Sequence, residues 1–149
     1  HHMLRAAEGG FVTAQYELAQ MWDQGLAGPR DLKRALAWYE RAALAGSTDA
    51  QVAMGTAHYL GRGTVRDATA ALDWYLLAAR QGDVGAQYMV ASMAQTGDGV
   101  APDFHLARYW FAAAAANGDL AAAAQVKALD QLQSQSIPAT PKAPPKAPP

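Results

Sequence analysis

The 149-residue sequence predicts an all-α fold, a solenoid of stacked antiparallel helix pairs. Three observations point there. A shift of 36 residues lays the chain on itself without a gap, so residues 11–46, 47–82 and 83–118 are three copies of one unit. Nine positions are identical in all copies: Ala14/50/86, Gln15/51/87, Gly25/61/97, Asp31/67/103, Ala35/71/107, Trp38/74/110, Ala42/78/114, Ala43/79/115 and Gly46/82/118. Hydrophobic residues make up 51% of the chain, and many are alanine, which favours helices that pack closely. A fixed period of this size marks supersecondary units that are each too small to bury their own apolar face.

The elements follow in order. His1-His2-Met3 reads as a tag remnant and carries no functional argument. Ala6, Ala7 and Gly10 stand one period before Ala42, Ala43 and Gly46, so residues 4–10 read as the end of a preceding repeat, and at least one further repeat is expected upstream. Each unit then reads as two helices. The first, about Thr13 to Gln24 in the first copy, sets Ala14, Leu18, Ala19 and Trp22 on one stripe. Ser47, Asp83 and Asp119 stand at its N-cap, and Gly25/61/97 ends it. After a short turn (LAGPR, RGTVR or DGVAP), Asp31/67/103 caps a second helix, which Gly46/82/118 closes. Its Trp38/74/110, with Tyr39, Tyr75 or Phe111 beside it, is expected to fill the wedge between one helix pair and the next. Residues 119–133 match a first helix in part. Lys127 takes the small position and Asp130 the place of Trp22, so a solvated capping helix is expected. The tail, 134–149, holds Pro138, Pro141, Pro144, Pro145, Pro148 and Pro149 and cannot extend the array. It favours polyproline II, as a linker or as a ligand for an aromatic groove.

Ala-Gln-x-x-Leu-Ala/Gly, Gly97-Asp98-Gly99-Val100, the capping Asp, Ala-x-x-Trp-Tyr-x-x-Ala-Ala and the closing Gly together resemble the Sel-one-like repeat (SLR) family, a relative of the tetratricopeptide repeat. The resemblance covers about residues 4–133. It departs at Gly25-Leu26-Ala27-Gly28, and at Trp22 and Ala94, where the family has tyrosine. It implies a right-handed α-solenoid whose first helices line a concave face. It also implies adaptor or scaffold work in protein complexes, most often bacterial or in endoplasmic-reticulum machinery, and it brings no catalytic residue and no cofactor.

By the same analogy, the face of each first helix opposite its core stripe lines the groove. The candidate peptide-binding residues there are Tyr16, Glu17, Gln20 and Asp23, then Asp49, Thr56 and Tyr59, then Tyr88, Ser92 and Gln95. These positions vary between copies. Tyrosines give rigid contact area and amides bond an extended backbone, while Glu17, Asp23 and Asp49 favour a neutral or basic protein or peptide ligand. The groove positions supply no lysine or arginine. Lys142 and Lys146 of the tail would suit such a groove, in this chain or a neighbour's. The alternative reading is a passive spacer or oligomerisation segment of a larger protein, and an enzyme ranks last.

Composition narrows the field further. A net charge of −1 carries no field for nucleic acid, and the absence of cysteine excludes thiol catalysis and disulfides while leaving the compartment open. No apolar run nears the roughly 20 residues of a membrane span. His58 reads as a packing residue and His105 as exposed, neither with a partner at metal-ligand spacing. Arg30, Lys33, Arg34 and Arg41 form a basic patch that Thr69 and His105 interrupt in the later copies.

Overall fold

Short turns join helix to helix through the described residues, 2–136 except 27, of the computed structural model. The helices are α1 (His2–Glu8), α2 (Val12–Gln24), α3 (Leu32–Leu44), α4 (Thr48–Leu60), α5 (Ala68–Arg80), α6 (Val84–Thr96), α7 (Phe104–Ala116) and α8 (Leu120–Ser136). No strand occurs among the described residues. Each helix packs chiefly on its neighbours in sequence, so the pairs α2–α3, α4–α5 and α6–α7 stack between α1 and α8 as an α-solenoid. Met3, read above as part of a tag remnant, lies in α1 and packs against the cluster of Ala7, Ala14 and Leu18. The proline-rich stretch from 137 onward, with the expectation that it docks in the groove, lies outside the described residues.

The caps form where the sequence puts them. Asp31, Asp67 and Asp103 accept the backbone N–H of Arg34, Ala70 and Leu106, each at 3.0 Å. Ser47, Asp83 and Asp119 do the same for Ala50, Ala86 and Ala122. The corner between pairs is tighter than caps alone require. At the end of α3 the N–H of Gly46 reaches Ala43 O and that of Ser47 reaches Ala42 O, the double bond of a Schellman turn, with Gly46 at φ 102°. Ser47 is therefore the last residue of one helix end and the cap of the next. The same bonds recur at Gly10, Gly82 and Gly118.

Into this corner goes a buried glutamine, whose identity in all three copies has its cause here. Gln51 Nε2 donates to Ala43 O at 3.2 Å, as Gln15 does to Ala7 O and Gln87 to Ala79 O. The bond ties each first helix to the end of the preceding second helix. The other end of the amide accepts from Gln81 Nε2 at 2.8 Å in the second unit and from Asn117 Nδ2 at 3.3 Å in the third. The first unit has Ala45 at that position, and Gln15 Oε1 is buried there without a partner among the described residues.

The aromatic pair divides its work between the two sides of its unit, and both rings reach a neighbouring unit. Trp74 packs into the cluster of the preceding joint, with Tyr39, Ala42 and Met54, and so does bridge units. Its neighbour meets the first helix of its own pair, Tyr39 against Tyr16 at 5.7 Å between centroids, Phe111 against Tyr88 at 5.1 Å and Tyr75 over Gly55. It also packs on the unit that follows, Tyr39 with Met54 and Tyr75 with Met93. Adjacent helical residues point about 100° apart, so the two rings are aimed at different neighbours. The small residue at Ala19, Gly55 or Ala91 admits the second ring; a Cβ on Gly55 would lie 2.8 Å from Tyr75.

At the other end of each pair, the turn nests on the unit before it. A Cβ on Gly63 would lie 2.7 Å from Leu32 O, and one on Gly99 the same distance from Ala68 O. On α8, Ala123 replaces the glutamine, and Lys127 and Asp130 are exposed, Asp130 held by Arg108 Nε at 2.7 Å.

The corner predicts opposite effects at two positions. Gln51→Leu is expected to lower stability by about 1–2 kcal/mol, and Ala45→Gln, which gives Gln15 its missing donor, to raise it by up to about 1 kcal/mol. The turn predicts that Gly63→Ala (φ 79°) costs about 2–3 kcal/mol, whereas Gly85→Ala, whose Cβ would meet only Asp83 Oδ2 at 3.5 Å, gains roughly 0.5 kcal/mol. Urea midpoints of the four variants check all of these signs.

Candidate functional site

Capping and the core stripe leave one face of each first helix unburied. All ten candidate residues lie there, half-buried or exposed: Tyr16, Glu17, Gln20 and Asp23 on α2, Asp49, Thr56 and Tyr59 on α4, Tyr88, Ser92 and Gln95 on α6. The structure gathers several of them into clusters. Gln20 Nε2 donates to the Tyr16 hydroxyl at 3.2 Å, and the phenol is held protonated by burial and then by the charge of Asp49 from the next unit. Tyr59 has the Arg66 guanidinium 5.0 Å above its ring, and Arg66 also pairs with Asp98 at 3.0 Å. Glu17, Ser92 and Gln95 stand on the same faces, outside these clusters.

Asp23 occupies a different setting from the one its sequence position suggests. Its carboxylate accepts from Tyr39 Oη at 3.1 Å and from Arg62 at 2.9 Å, with Arg30 at 3.8 Å. The charge read as bait for a basic ligand is thus already compensated within the chain. Sequence reasoning missed Arg62 because it belongs to the turn after α4 and reaches back to the end of α2. Burial, reinforced by Asp23, pushes the Tyr39 phenol far above its ordinary pKa. The Tyr75 phenol is raised by burial and drawn partly back by its 2.8 Å bond to Thr56. These hydroxyls remain neutral at any physiological pH.

Between α2, α3 and α4 lies a cavity of about 180 Å³, with Asp23, Tyr39, Thr56 and Arg62 among its lining residues. Elsewhere, polar side chains serve local ends. Arg34 and Arg41 of the basic patch stack on Trp22 and Trp38 at 4.6 and 4.5 Å, and Arg30 bonds Asp23 O at 2.8 Å. His105 is exposed; His58 is half-buried with its Nδ1 enclosed and without a hydrogen bond among the described residues. No group of three or more metal-ligating residues and no membrane-length apolar helix occurs among the described residues.

The family model described as Sel1 repeat matches residues 12–47, 48–83 and 84–119, one residue later than the units counted from the sequence. Among solved structures, a Sel1 repeat protein from Oxalobacter formigenes is 34% identical with a TM-score of 0.78, covering 85% of this chain and 95% of that one. A protective antigen of uropathogenic Escherichia coli with an SLR fold is 35% identical, TM-score 0.79, over 83% of this chain and 27% of its own. The cysteine-rich protein B of Helicobacter pylori shares the fold at 18% identity and a TM-score of 0.63, over 83% of this chain and 93% of its own. No curated protein matches the chain in sequence.

The Asp23 cluster predicts a titration. Asp23→Asn should move Tyr39 ionisation to lower pH yet leave it above the ordinary value of about 10, because burial is the larger cause. Raised phenols contribute stability that is complete below about pH 10 and is lost as pH climbs from there toward the folded pKa. Phenolate absorbance checks the first statement, and urea midpoints at about pH 9 and about pH 11 check the second.

Proposed function

The chain belongs to the Sel1 repeat family, and from that premise we propose that it is a non-catalytic interaction module that holds an extended protein or peptide segment along the concave side formed by its first helices. Sel1 repeat proteins are typically protein-interaction modules. The observation that carries the finer reading is the contrast between joint and face. Corner, cap and wedge residues repeat from unit to unit, while the open faces of α2, α4 and α6 carry Tyr16 and Tyr88 at one helix position and Tyr59 two turns further along, with amides and hydroxyls between them. Tyrosines anchored at one end and open at the other bind with little loss of side-chain freedom, and free amides and hydroxyls bond a peptide backbone. With Asp23 compensated, a preference for basic ligands rests on Glu17 and Asp49 alone, so the ligand is neutral to mildly basic.

The test is a pull-down from the native organism's lysate with the whole chain and with its Tyr16→Ser, Tyr59→Ser, Tyr88→Ser triple variant. Circular dichroism verifies that both remain helical. A protein retained by the first and lost from the second is the expected result. Equal recovery on both would move the contact to the second helices and leave the groove idle.

A further inference from the structure

The cavity between α2, α3 and α4 has a counterpart one unit on, and the comparison says what belongs in it. Its floor is apolar: Leu32, Ala35 and Leu36 of α3 with Ala53 and Ala57 of α4. One period later Ala35, Leu36 and Tyr39 become Ala71, Leu72 and Tyr75, and the two alanines of α4 become Met89 and Met93 of α6. Met93 is buried at 1% exposure against Ala71, Leu72 and Tyr75, and Met89 packs on the same cluster. Leu72 is buried in consequence, whereas Leu36 remains half-exposed. Two thioether side chains occupy in one joint the volume that stands open in the other.

The rim fixes the charge of the occupant. Asp23 is paired with Arg62 and accepts from Tyr39, and Thr56 is bonded to Tyr75. A charged side chain entering here would be desolvated without a partner of its own. An apolar cavity of about 150 Å³ already admits benzene, so 180 Å³ suits one aliphatic side chain. Resting on the groove reading above, we propose that this cavity is the specificity pocket of the groove, and that it takes one unbranched or γ-branched aliphatic side chain, methionine or leucine, of an extended peptide.

The experiment selects random dodecapeptides, displayed on phage, against the full chain, and measures the enriched sequences as synthetic peptides. Three proteins are compared: the parent, the Ala53→Met, Ala57→Met double variant, and the tyrosine triple variant. The double variant repeats the packing of the third unit and is expected to unfold at or above the parent's temperature; the half-buried Ala53→Met alone serves if the pair fails to fold. Enriched peptides are expected to share a methionine or leucine at one position. Replacing it by alanine, or filling the pocket, should weaken binding at least tenfold. Peptides that lose affinity in the tyrosine variant but ignore the filled pocket, or that share a charged anchor, would overturn the pocket and leave the groove standing. Selection that enriches nothing would overturn both.

Discussion

The path of this chain depends on one carbonyl per unit. Where a second helix ends, the oxygen of its second conserved alanine (Ala7, Ala43, Ala79) accepts both the closing glycine's N–H and a glutamine amide from the helix that follows. A helix end leaves several carbonyls without partners, and burial makes each of them costly. Satisfying one with a side chain from the next helix settles that cost and fixes how the next helix is turned. Ser47, Asp83 and Asp119 end one helix and cap the next, so the corner has no spare residue and little freedom to vary. Apolar contacts alone would allow one pair to slide on another; directional bonds at the corner do not. Repeating the corner repeats the geometry, and a solenoid results.

Because the corner fixes direction, the remaining residues divide between cohesion and surface. The tryptophan closes the gap to the preceding unit, its neighbouring ring packs inside the pair and against the following unit, and small residues on the first helix admit the second ring. The open faces of α2, α4 and α6 carry a smaller share of these duties, Tyr16 and Tyr88 meeting the second ring and Asp23 and Thr56 bonding it, and leave their other positions unconstrained. They are free to differ, and that freedom is what gives the array a surface with distinct positions along it.

The period, the caps and the glycine stops were legible because a backbone demand selects a residue type: a left-handed turn calls for glycine, and an unpaired helix N–H calls for aspartate or serine. The corner glutamine was visible as an identity without a reason. Gln51 on a core stripe makes sense only once Ala43 O is known to point at it, and that contact crosses between helices. That Trp74 faces the preceding unit and Tyr75 the following one is settled by helix rotation, which a count of one joint per unit does not reveal. Asp23 was misjudged because its partners stand far off in sequence, at Tyr39 and Arg62. The cavity had a faint signal, the change of Ala53 and Ala57 to Met89 and Met93, but a small residue at one copy reads as variation until the floor beneath it is seen to be bare.

Packing that runs from each helix to its sequence neighbour has a kinetic side. Short loops close cheaply, so such a chain folds quickly, and it opens piecewise, with the extent of each cooperative segment set by the coupling across its joints. The joint with two alanines over Leu36 couples its neighbours less than the joint sealed by Met93. Of these two it is therefore the seam that parts more readily. A side chain seated in that seam would do more than anchor a ligand: it would join two independently opening segments into one.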